Sequence, residues 1–198
     1  MHKKTLKLIR MSLALLVIAP CGYSAINSNT STASNISATG DPVSDFWINK
    51  YPQLNNIQQK MPADNYKVSP SQKPLVGPIT NSLGIRDDIL KNVLETIPAS
   101  NESALYHAIK YTQYGQAMFL ATDKDQANQN MQNMMSSISC LDKSYGMINT
   151  HNLILKTVKI RDDNQQRIIQ ERNGEKLITG MFSLGTQTDN DCLLGGKY

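Results

Sequence analysis

Six apolar residues, Ala127, Met131, Met134, Ile138, Leu141 and Tyr145, step along the chain by four and three alternately. That spacing puts all six on one face of a long α-helix, which must then bury a continuous seam against another element. Thr122 with Asp125 three places on is a capping arrangement that opens this helix, and Gly146 supplies its stop. Just upstream, Ser100 can cap a helix carrying Leu105, Ala108, Ile109, Thr112, Phe119 and Leu120. Two long helices joined by so tight a corner are expected to pack as an antiparallel pair.

Helical spacing recurs twice nearer the start. Asp41-Pro42 is a helix opening, followed by Val43, Phe46, Trp47, Tyr51, Leu54, Ile57 and Met61. Pro52 lies inside that run and predicts a kink or two short helices. Asn81 or Ser82 can cap a further helix whose face is Ile85, Ile89, Leu90, Val93, Leu94 and Ile97, with Pro98 ending it. The Pro-rich piece from Pro62 to Pro78 reads as an extended surface connection.

The last third gives two conflicting signals. Leu153 to Ile160 is rich in β-branched residues, and Asn173-Gly174 is a hairpin dipeptide. Yet Gln165 to Arg172 holds straight-chain helix formers, and its polar and apolar residues do not alternate at period two. The expectation is helix from Asn152 to about Ile160 and again from Asp163 to about Gly180, at a cost of about 1 kcal/mol for Gly174. The whole therefore predicts a mainly α fold, a compact helical bundle of about five to six helices stapled by one disulfide. The alternative is α+β with a C-terminal hairpin around Asn173-Gly174.

The staple follows from the compartment. Lys3, Lys4, Lys7 and Arg10 precede an apolar run from Met11 to Ala19, and small residues follow at Gly22, Ser24 and Ala25. This has the form of a bacterial signal peptide, residues 1–24, and its apolar core is far short of the roughly 20 helical residues a membrane span needs. Ile18-Ala19-Pro20-Cys21 resembles a lipobox, which would make Cys21 a lipidated N-terminus, although Pro20 stands where that pattern wants a small residue. The location expected is periplasmic or secreted, with a membrane-anchored lipoprotein as the alternative. Residues 25–40, almost all Ser, Thr, Asn, Ala and Gly, read as a flexible polar linker, and 41–198 as a single helical domain. In an oxidising compartment the even pair Cys140 and Cys192 predicts a structural bridge, worth on the order of 4 kcal/mol by chain entropy.

Charge and chemistry narrow the function by elimination. The leader carries the whole excess of the +4 chain, and the remainder balances 16 basic against 16 acidic side chains. That argues against nucleic acid, which needs a clustered basic surface. No later run is apolar enough for a transmembrane span. His107, placed at the edge of its helix face, and His151, in a short connection, read as surface or boundary histidines; a small envelope hydrolase using either is one alternative. No zinc set, calcium loop, nucleophile elbow or cofactor motif is legible. Met131, Met134 and Met135 with Met118 and Met147 allow a Met-rich copper(I)-binding reading, against their simpler use as core filling. The leading expectation is a non-catalytic protein-binding domain of the immunity, inhibitor or adaptor kind, with a protein partner in the cell envelope. Trp47, Tyr51, Tyr66, Tyr106 and Tyr114 are the candidate anchor residues.

Overall fold

A computed structural model describes residues 42–61, 73–178 and Cys192, without the side chains of 42–45, 73 and 74. The signal peptide with Cys21, the linker 25–40, Tyr66 and the tail between Leu177 and Cys192 beyond Ile178 lie outside the described residues. Eight helices follow in order among the described residues: α1 Pro42–Lys50, α2 Gln53–Lys60, α3 Lys73–Val76, α4 Asp87–Thr96, α5 Glu102–Phe119, α6 Lys124–Tyr145, α7 Met147–Arg161 and α8 Gln165–Leu177. No strand occurs among the described residues, so the architecture is mainly α and the hairpin at Asn173-Gly174 is replaced by α8.

The helix count exceeds five to six for two local reasons. Pro52 divides the first apolar run into α1 and α2, and a single turn, α3, interrupts the connection expected to be extended. Several ends also shift. Asn101, not Ser100, caps α5 by accepting the Ala104 N–H at 3.1 Å. Asp123 caps α6 by accepting from Gln126 N at 2.8 Å, while the Gln126 amide oxygen accepts from Thr122 N, a reciprocal box one residue later than expected. Neither Asn81 nor Ser82 caps α4, which starts after Arg86 without a side-chain cap. Asn81 instead pins the preceding loop, donating to the Ile85 carbonyl at 2.6 Å and to Asp87 Oδ1 at 2.9 Å. Gly146 ends α6 at φ 87° and α7 begins directly after it, five residues before Asn152.

α5 and α6 make the most extensive helix pairing, and α4, α7 and α8 close around them. The main core joins Leu54 and Ile57 of α2, Leu83 and Ile85 of the loop, Leu90 and Val93 of α4, Leu105 and Ile109 of α5, Leu141 of α6 and Leu153 of α7. Cys140, fully buried on α6, is bonded to Cys192, with the two Cα atoms 5.2 Å apart. The bundle is thus stapled where the cysteine arithmetic placed the staple.

Candidate interaction surface

α7 turns its apolar composition two ways. Thr150, Leu153 and Thr157 face inward, while Ile148 and Leu155, two turns apart, are 76% and 53% exposed. Asn152 and Lys159 lie on the same outer line, with His151 and Lys156 on its flanks, all exposed. Met147 extends the line at the N-terminal end. The helix contains Lys156, Lys159 and Arg161 and no acid, so its outer face is apolar at intervals and cationic toward the C-terminus.

The expected anchor aromatics do not form this surface. Trp47, Tyr51 and Tyr106 are core residues, a correction, since all three belong to the main buried cluster with Leu54, Leu90 and Leu105. Trp47 Nε1 donates to Thr80 Oγ1 at 2.9 Å and stacks on Tyr51, whose hydroxyl donates to Glu95 at 3.0 Å. Tyr114 is half-buried, with the Lys110 ammonium 5.6 Å from its ring centre. The exposed aromatic of α1 is Phe46.

The two histidines have opposite settings. His107 is fully buried rather than at a boundary, edge-on to the Tyr106 ring, and its Nε2 is 3.0 Å from the Cys192 carbonyl. Burial pushes its imidazole below the ordinary histidine value, and the Cys192 carbonyl works the other way. It therefore braces the disulfide-bonded end of the chain. His151 is exposed on α7, near Asp142, whose carboxyl is pushed up by burial. The described contacts do not bring the two histidines to a common site.

A polar junction lies where α4, α5, α7 and α8 converge. Arg86, with 3% of its side chain exposed, pairs with Asp88 through Nε and Nη2 at 2.5 and 2.6 Å. Its Nη2 also donates to the Ile160 carbonyl at 2.6 Å and to Asp163 at 3.0 Å. Although burial works against it, Arg86 holds the Asp88 carboxyl below the usual carboxylate range. Arg167 bonds Asp163 and the Leu75 carbonyl, and Arg161 bonds Glu171. These three arginines, with Tyr111, Gln116 and Thr157, border a cavity of about 20 Å³, room for roughly one water. Acids already face each of the three cations, so the junction reads as a structural tie between helices.

The methionines converge more than their sequence spacing implies. Met118 of α5 and Met134 of α6 are buried in one cluster with Tyr111, and Met131 and Met135 pack against it. This is the seam of the α5–α6 pair, where flexible thioethers fill irregular space. What sequence reasoning missed was Arg86 and the polar inner face of α5. Gln113 donates to the Leu83 carbonyl at 2.9 Å, and Gln116 donates to the Gly84 carbonyl and accepts from the Arg86 N–H. The signal was the Asn81-to-Arg86 loop itself, a short irregular stretch whose backbone groups need partners when buried. No family model, curated protein or solved structure matches this chain.

Proposed function

We propose that this chain is an exported, non-catalytic domain of the cell envelope that binds another protein through the outer face of α7. The observation that carries the reading is the exposure of Ile148 and Leu155 on a helix whose opposite side is anchored in the core. Apolar residues aligned on a rigid element are cheap to dock because little ordering is left for the moment of binding. Lys156 and Lys159 beside them select a partner segment with acidic side chains around apolar ones. A membrane surface is the poorer match, since Asn152 separates the two apolar residues and no aromatic lies on the face. Export is supported by the basic and apolar leader and by the Cys140–Cys192 disulfide, a bond of the kind oxidising compartments maintain.

The test is site-specific photo-crosslinking in the natural envelope. A crosslinking residue at Ile148 or Leu155 should give one discrete protein adduct, weakened when Lys156 and Lys159 are both changed to Glu. The same probe at Lys91, exposed on α4, should not give it. An adduct pattern common to all three positions, or none at all, would remove the α7 reading. The export half is checked separately: the mature N-terminus should lie after Ser24 or at a lipid-modified Cys21, and an intact Met1 would overturn it.

A further inference from the structure

α8 is held onto α5 by polar groups. It is the most polar of the long helices, and its buried residue is Gly174. An added Cβ at Gly174 would stand 2.6 Å from the Met118 carbonyl oxygen, so the backbones of α8 and α5 nearly touch. One turn away, Gln170 Nε2 donates to the Phe119 carbonyl at 3.2 Å. On the flank, Arg161 Nη2 donates to Glu171 Oε1, and the Asp162 carboxyl meets the Glu171 carboxyl in hydrogen-bonding contact. The side chains are largely enclosed, with 12%, 13% and 27% exposed for Arg161, Glu171 and Asp162.

Charge in this cluster does not balance without a proton. One guanidinium faces two carboxyls, and two carboxylates in contact repel and have no donor to share between them. Arg161 Nε and Asp162 Oδ1 are buried and 3.7 Å apart, too far for a hydrogen bond, and neither has a hydrogen-bond partner among the described residues. A single proton on the carboxyl pair removes the excess negative charge and supplies the missing donor. The neighbouring cations already have acids of their own, Arg86 pairing with Asp88 and Asp163 and Arg167 with Asp163. α5 contributes the buried phenol of Tyr111, α8 itself adds the acid Glu175, α6 reaches the neighbouring cluster with methionines and Ile138, and α3 meets α8 through the Leu75 carbonyl on Arg167.

We propose that α8 is a proton-held strap, in which one proton shared by Asp162 and Glu171 beside Arg161 keeps the helix seated on α5, and loss of that proton loosens it. Burial first, and contact with Asp162 second, push the Glu171 carboxyl up to about 8, against the pull of Arg161. The sign follows. A carboxyl whose folded value lies above its unfolded one binds its proton on folding, so its contribution is full below the unfolded value of about 4.3 and is lost as pH rises through about 8. In an envelope compartment that follows the medium, the strap would be tight in acid and loose in alkali.

Hydrogen exchange of the full chain tests this, with α5 as an internal reference that cancels the intrinsic pH dependence of exchange. Protection of α8 relative to α5 should fall about tenfold or more between about pH 5.5 and about pH 9. Glu171→Gln keeps a donor toward Asp162 without a titrating group and should hold that ratio constant. A ratio independent of pH in the unsubstituted chain, or the same fall in Glu171→Gln, overturns the proposal. Should that variant not fold, carboxyl carbon NMR of the unsubstituted chain decides: a Glu171 midpoint well above the ordinary range supports the strap, and one near about 4.3 overturns it.

Discussion

α5 and α7 have opposite relations between composition and place. α5 keeps His107, Lys110, Thr112, Gln113 and Gln116 inside the bundle, whereas α7 leaves Ile148 and Leu155 in water. The difference comes from neighbours. α2, α4, α6 and α8 all pack on α5, so it has no free side, while α7 rests on α4 and α6 and has one. A polar residue is tolerated inside where a loop carbonyl awaits it, as Leu83 and Gly84 await the two glutamines. An exposed isoleucine costs the fold little, and on a rigid face it becomes available to a partner.

Paired substitutions test the contrast. The largest expected difference is between Ile109→Ala and Leu155→Ala. The first empties a fully buried site and should cost about 3 kcal/mol in denaturant unfolding, the second about 0.5 kcal/mol or less. Equal losses would mean that α7's outer face is covered in the folded chain. Next come two amides. Gln113→Ala strands the buried Leu83 carbonyl and should cost about 1 to 3 kcal/mol, whereas exposed Asn152→Ala should be nearly neutral in the same assay. A neutral Gln113→Ala would show that the loop's carbonyls find water instead.

The smallest effect is a pH slope. Burial depresses His107 in the folded chain, so its contribution is present above the unfolded value of about 6.5 and is lost as pH falls through the lower folded one. The change in denaturation midpoint from about pH 5 to about pH 7.5 should therefore be shifted in the destabilising direction in His107→Gln relative to the unsubstituted chain, because the variant lacks the gain His107 gives as pH rises. Glu171 contributes the opposite slope over this whole range, so the difference between the two proteins, and not either profile alone, carries the result. The same change in both proteins would place His107 nearer to solvent than its packing against Tyr106 implies.

Periodic apolar spacing was the most legible signal. It located α5 and α6 to within a few residues and α4 by its apolar face, although α4 starts four or five residues after the start a cap at Asn81 or Ser82 implies, and the break at Pro52 followed from the missing N–H and ring clash of proline. Straight-chain residues in 165–172 outweighed the Asn173-Gly174 dipeptide, and α8 is a helix. Gly174 has a tertiary use there, since only a residue without Cβ lets α8 approach the Met118 carbonyl. The caps were less legible because Ser100 and Asn101, or Thr122 and Asp123, are adjacent residues of similar capping chemistry. The aromatic anchors were misplaced because burial of Trp47, Tyr51 and Tyr106 depends on which helices flank them, which no local pattern encodes.

Local sequence thus determined the helices, their approximate ends, the proline break and the availability of two cysteines for one bridge. Each of these depends on backbone preference or on residues within a turn or two. Tertiary structure alone decided that Arg86 would tie α4 to the end of α7, that His107 would meet Cys192, that Asp162 and Glu171 would share a buried corner, and that one side of α7 would stay bare. Those outcomes are set by contacts between residues far apart in the chain, where solvent is excluded and charge must find a partner or a proton.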